Sequence, residues 1–433
     1  MNSKKILTWI LAPLLFFGVL TGAVVYKAVN PYKPAIYNFQ SYVNPDLIPE
    51  IEKKYSYKEY KTTSEFANAI NNNKAMAGIS TDYELIDLIN SQKVSKIDFD
   101  AAFGVTDPMS FYSEQTKKQI SFFDEYLGVN SEVKGDVDGD GIVDSFSEYI
   151  IPIWLNNKVF MYNSDKINNN IPDFKNDFSY INILKELTKS GVDVWSWTNA
   201  ALENTVIGSE LSGTFNTKLT NENYVQRIDE FAKIIERGTG STINNTKVNI
   251  FEDDSDVVLQ STIDSNSIIK GSYLFNGDAL DAYWSTDNFS NVADGTIKLV
   301  KPKNSPSFID AFVVSSSVSK EMQTELLQDM NDVFFGGKFM TKEELITAAT
   351  DVETGEIDYT LVPSLNNFDY VNYTPTSKAE YELILENYFL DEDEPEVAKY
   401  FYEIETSSIV PIHPLNKELQ SKIVIEFKRR LRL

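Results

Sequence analysis

The residues best suited to chemistry by type and spacing are the acids of Asp136-Val137-Asp138-Gly139-Asp140-Gly141-Ile142-Val143-Asp144. Oxygen donors at loop positions 1, 3, 5 and 9, with glycine at position 6 for the sharp turn, form the hard-oxygen cage that Ca2+ prefers. Position 12 is Ser147 instead of a bidentate acid, and Glu148 follows it. The pattern suits either a structural calcium site, with Asp136, Asp138, Asp140, Asp144 and Glu148 as ligands, or an acidic turn without metal. Catalytic constellations are scarce. His413 is the sole histidine and sits near two prolines, Pro411 and Pro414, so a Ser-His-Asp arrangement would depend on it alone. The sequence has no cysteine, which excludes disulfides, thiolate catalysis and thioether lipidation. No phosphate-cradling P-loop or dinucleotide glycine fingerprint is present, so no cofactor is required and ATP hydrolysis must belong to another polypeptide.

The charge balance narrows the partners. Against 39 Lys plus Arg stand 64 Asp plus Glu, a formal net charge of −25, so the surface field repels nucleic acid and attracts cations. No nucleic-acid partner is expected. At 433 residues and 42% hydrophobic composition the chain can bury more than one core, which suggests two lobes. Residues 6–26 carry no charge and are long enough, at about 1.5 Å per residue, to cross a hydrocarbon layer of about 30 Å. Lys4 and Lys5 precede them, and the positive-inside bias places the remainder of the chain outside the cell membrane, as a single-pass protein with an extracellular body. Leu20-Thr21-Gly22-Ala23 has the form of a lipoprotein processing box with alanine in place of cysteine, and an uncleaved anchor is favoured over a signal peptide.

The elements that must position any site alternate between strand and helix. Ala35 to Phe39 predicts a strand, Leu47 to Tyr55 a helix, Ala75 to Ser80 a buried strand of the parallel type, and Asp82 to Gln92 a helix. This order indicates a doubly wound α/β lobe. Ligands bind beyond the carboxyl ends of the strands in such sheets, so Asn38–Tyr42 and Ser80–Tyr83 are expected at one crevice. Ile150 to Asn163 reads as the stretch that passes from one lobe to the next. Further apolar segments lie at Ser272–Asn276 and Phe308–Val314, and an amphipathic helix at Glu321–Phe335.

Taken in order, several short motifs resemble the substrate-binding subunits of bacterial spermidine/putrescine ABC importers. They are Ile36-Tyr37-Asn38-Phe39-Gln40-Ser41-Tyr42-Val43, Ser80-Thr81-Asp82-Tyr83, Ile151-Pro152-Ile153-Trp154, Leu274-Phe275-Asn276-Gly277, Phe308-Ile309-Asp310 and Tyr373-Thr374-Pro375. The resemblance implies a two-lobed periplasmic-binding-protein-like fold (type II). In the expected division, residues 1–34 are anchor and linker, 35–155 plus 309–362 one lobe, and 156–308 plus 363–433 the other. It also implies an aromatic and acidic box for a polyamine, lined by Phe39, Ser41, Tyr42, Ser80, Asp82, Glu203, Phe275, Phe308, Asp310 and Tyr373. Flat apolar walls along the methylenes, and carboxylates or ring faces at the ammonium groups, are what such a cation needs. Phe39, Phe275 and Phe308 stand where tryptophan is common in the family, and Ser41 and Ala200 where acids are.

The expected function is therefore capture of spermidine or putrescine between the lobes, without turnover, and delivery to a permease and its ATPase. Another organic cation such as thiamine, a hydrolase using paired carboxylates, or a surface protein that has kept the fold but lost the ligand are the alternatives.

Overall fold

The thirteen residues Ile151–Asn163 form one strand, and every one of them is buried. Their β-branched and aromatic content favours the strand, and burial on both sides demands a layer on each face. The computed structural model, which describes residues 33–432 except 169, 214, 216 and 391–394, supplies both. Ten strands run in chain order: β1 (Ala35–Phe39), β2 (Ser56–Tyr60), β3 (Ala77–Thr81), β4 (Ile151–Asn163), β5 (Trp195–Thr198), β6 (Asn249–Glu252), β7 (Gly271–Phe275), β8 (Ile297–Val300), β9 (Ser307–Val314) and β10 (Thr374–Pro375). They make one sheet in the order β2-β1-β3-β9-β4-β7-β5-β6, with β8 and β10 also paired to β4.

The chain forms a mixed α/β fold. β9 runs antiparallel to both β3 and β4, and β4 antiparallel to β7, so the sheet is mixed where the sequence pattern suggested parallel strands. Alternation along the strands splits the core between the two faces. On β4 and β9, Phe160, Tyr162, Ala311 and Val313 pack into one core cluster, and Val159, Met161, Phe312 and Val314 into the other.

β4 changes partner midway. Asn156 and Asn157 pair with Phe308 and Ser307 of β9, whereas Lys158 pairs with Phe275 of β7. The hand-over falls between Asn157 and Lys158. Thr374 and Pro375 pair with Leu155 and Trp154. A register shift between Pro152 and Trp154 marks a bulge, which suits a proline that has no N–H for the ladder.

Two elements differ from the sequence reading. β2 was not anticipated, because Ser-Tyr-Lys-Glu-Tyr is polar enough for a loop and pairs only at the sheet edge with β1. The helix expected over 321–335 is α-helical for Lys320–Met330 and widens to a π-turn over Asn331–Phe335, closed by the Gly336 N–H on the Asn331 carbonyl at 2.7 Å. Among the described residues no helix is long and apolar enough to cross a membrane. The proposed span, residues 6–26, lies outside the described residues.

Candidate functional site

The carboxyl ends of β1, β3, β5 and β7 converge on the middle of β4, and the amino end of β9 enters the same place because that strand runs the opposite way. This convergence brings separated motifs together. Thr81 at the end of β3 stands in register with Asp310, and Trp154 of β4 faces Asp310 on its other side.

Asp310 is buried, and both oxygens of its carboxylate are engaged. Oδ1 accepts from the Thr81 hydroxyl at 2.7 Å, while Oδ2 accepts from the Tyr42 hydroxyl and from Asn156 Nδ2 at 2.9 Å. Burial holds its pKa above the ordinary carboxylate range, against these donors. Around it, Tyr42 contacts Phe39 (ring centroids 5.3 Å apart) and Tyr373 (5.2 Å). Phe308 contacts Phe275 at 5.6 Å and Tyr83 at 6.2 Å. Phe39, Tyr42 and Tyr373 thus form one ring cluster against Asp310, and Tyr83, Phe308 and Phe275 form a second.

Glu203 joins the second cluster through a residue the sequence reading passed over. Lys158 is 1% exposed; its ammonium lies 2.5 Å from Glu203 Oε2, donates to Thr198 Oγ1 at 2.9 Å, and sits over the Phe275 ring at 4.6 Å from the centroid. Its backbone is pinned from both sides, since Ser305 Oγ accepts from the Lys158 N–H and donates to the Lys158 carbonyl. Glu203 lies in the first turn of Ala201–Gly208, where the helix dipole favours an acid.

Asp278 was also missed. It lies in the first turn of the helix Asn276–Tyr283, directly after β7. Its Oδ1 accepts from the Tyr373 hydroxyl at 2.5 Å, but its Oδ2 is buried without a hydrogen-bond partner. Burial pushes its pKa up to about 7. The cue in the sequence was its place one residue beyond Leu274-Phe275-Asn276-Gly277. Gly277 is needed there, because a Cβ on it would lie 2.0 Å from Tyr373 Cδ1. Gly277→Ala is expected to push the Tyr373 ring off Asp278 and to cost about 1–3 kcal/mol by overpacking; unchanged stability in chemical denaturation would show that the ring is free to give way.

Three of the expected residues are placed otherwise. Ser41, at φ 56°, is exposed, and its hydroxyl donates to Asp256 Oδ2 at 3.4 Å. Ser80 is 1% exposed inside β3. Asp82 is fully buried, and its oxygens accept from the Tyr83 N–H, the Ile309 N–H and Gln119 Nε2. It ties the end of β3 to β9.

At the acidic loop, Asp136, Asp138 and Asp144 bring carboxylate oxygens within 4.8 Å of one another; Asp140 and Glu148 are not part of that group. Both Asp136 oxygens accept backbone N–H groups, from Gly139 and Gly141. Lys96 lies against the cluster, 2.8 Å from Asp138 and also in contact with Asp144. The donors fit a hard cation, but a divalent ion would have to displace that ammonium. His413 packs against Phe122 and bonds Tyr126 through Nδ1.

A model of the family described as hypothetical lipoprotein (MG045 family) matches residues 5–387. No curated protein matches the chain. Among solved structures, the spermidine/putrescine ABC transporter substrate-binding protein PotD of Streptococcus pneumoniae, in complex with calcium and HEPES, is similar with a TM-score of 0.56 at 14% identity, over 92% of this chain and 99% of that one. The GacH receptor of Streptomyces glaucescens, studied unliganded and with acarbose, gives 0.54 at 10% identity, over 93% and 94%. The Tp0655 (TpPotD) lipoprotein of Treponema pallidum gives 0.53 at 11% identity, over 92% and 98%. At such identities the likeness is one of fold. It does not choose a ligand, since proteins described with polyamines and with acarbose share it.

Proposed function

Starting from the premise that this chain belongs to the family described as hypothetical lipoprotein (MG045 family), we propose that it is the solute-binding subunit of an ABC importer and that its solute is a small organic cation. The observation that carries this reading is the Asp278 oxygen, buried and unpartnered on a carboxylate bonded to Tyr373, whose ring adjoins that of Tyr42. An unsatisfied buried carboxylate oxygen is costly until it receives a donor. An ammonium group supplies that donor together with charge, and the ring faces add cation–π attraction. Spermidine and putrescine are the first compounds to test, because the motif resemblance points to them. Lobe closure about β4 would then present the loaded form to a permease and its ATPase. The absence of cysteine leaves no thioether attachment point, so residues 6–26 are proposed as the membrane anchor.

Two results test the reading by calorimetry on the full chain. Asp278→Asn is expected to weaken amine binding about tenfold or more. Because burial holds the Asp278 proton up to about pH 7, amine affinity is expected to rise with pH up to that point, as the competing proton is lost. Equal affinity in the two proteins would remove Asp278 from the site.

A further inference from the structure

The family resemblance leads one to expect two acids for the two ends of a polyamine, but in this chain one of those places is already taken from within. We infer that Lys158 is a resident ammonium filling one cation subsite of the cleft, so that the ligand is a monocation and not a diamine. This rests on the cation-binding reading above and narrows it.

Asp310 has Thr81 on one oxygen and Tyr42 with Asn156 on the other. Glu203 faces the Lys158 ammonium. Asp278 has one oxygen on Tyr373 and the other open. Of these three acids, two have a buried oxygen without a hydrogen bond, Glu203 Oε2 and Asp278 Oδ2; the Lys158 ammonium neutralises the first, which leaves the second for a ligand. The Lys158 head has what an incoming ammonium would need, a carboxylate at 2.5 Å, a hydroxyl at 2.9 Å and a phenyl face at 4.6 Å, and its methylenes lie inside the protein at 1% exposure. A second ligand ammonium reaching this end would meet Lys158 as a like charge, with Glu203 already neutralised. Lys158 is thus a specificity-determining residue. It converts a site for a doubly charged chain into one for a single charged head at Asp278, with an uncharged body against Tyr42 and Tyr373.

The test compares n-butylamine with putrescine, which has the same carbon chain and a second ammonium, by calorimetry on the full-length protein. The wild type is expected to bind n-butylamine at least tenfold more tightly than putrescine. Lys158→Ala empties the subsite, so its affinity for putrescine is expected to rise at least tenfold over wild type. n-Propylamine, which replaces the deleted atoms, should raise the melting temperature of Lys158→Ala but not of Lys158→Met, whose side chain fills the space. A wild type that prefers putrescine, or a folded Lys158→Ala that gains nothing for putrescine and nothing from n-propylamine, overturns the inference. Should Lys158→Ala fail to fold, the wild-type comparison decides. If the wild type binds neither amine, the importer reading loses its ligand, and rescue of Lys158→Ala by n-propylamine, or its failure, still decides whether the subsite exists.

Discussion

Replacing Glu380 with alanine is expected to cost about 3–5 kcal/mol, the usual penalty for stranding one partner of a buried ion pair. Lys338 and Glu380 are each 1% exposed and lie 3.2 Å apart. The Lys338 ammonium also donates to the Ile153 carbonyl at 3.1 Å and stands over Trp154 at 5.3 Å from the ring centroid. Ile153 sits at the β4 bulge, so the lysine satisfies a carbonyl at the place where the ladder is irregular. Burial drives the Lys338 pKa down and Glu380 opposes that; without the acid, the amine must either lose its proton or remain charged among apolar groups. Glu380 lies in the first turn of Lys378–Asn387, and the pair fastens that helix to the crossing strand. The double change Lys338→Met with Glu380→Leu is expected to recover most of the loss, since apolar replacement of a whole buried pair is often neutral or better. A loss below about 1 kcal/mol for Glu380→Ala in chemical denaturation would mean that water reaches the amine.

The ends of β1, β7 and β9 are marked by Phe39, Phe275 and Phe308-Ile309-Asp310, short aromatic or acidic motifs at the edges of apolar runs, and the structure brings them together around β4. Lys158 and Asn156 were not legible as site residues. Their meaning lies in register, because opposite neighbours along a strand alternate in face, and a slip of one residue would turn the Lys158 side chain to the other face and away from Glu203. The available signal was a lysine within the mostly apolar stretch from Ile150 to Asn163, since an ammonium has to be paired if such a stretch is buried. Lys338, within Phe335-Gly336-Gly337-Lys338-Phe339, carried the same signal. Lys96 is separated from the acidic loop by about forty residues of sequence, and nothing local connects it to Asp138 and Asp144. In this chain lysines occupy places where spacing and resemblance suggested external cations.

Stability should fall as pH rises from about 4.5 to 8, the reverse of what surface ion pairs produce. Burial is the leading cause that raises Asp82 to about 8, Asp278 to about 7 and Glu210 to about 7. In the unfolded chain these acids lose their protons near pH 4. Between that value and 7 to 8 the native state holds a proton on each that the unfolded state has released, so the native state binds more protons and its stability declines with pH. Each group contributes a slope of about 1.4 kcal/mol per pH unit while the difference lasts. Acids held down by surface partners, such as Glu114, Asp138 and Glu426, act below this window. Lys301, lowered by burial to about 8, acts above it, where the native state has released a proton that the unfolded state keeps, and stability turns upward. The formal charge of −25 adds self-repulsion in the same direction as the buried acids. Melting temperatures measured from pH 4.5 to 8 are therefore expected to peak near the acid end, and Asp82→Asn, which cannot ionise, should flatten the decline. A melting temperature that climbs from pH 5 to 8 would mean that these carboxylates are ionised and solvated in the folded protein, and the crevice at the ends of β1 and β3 would then have to be open to water.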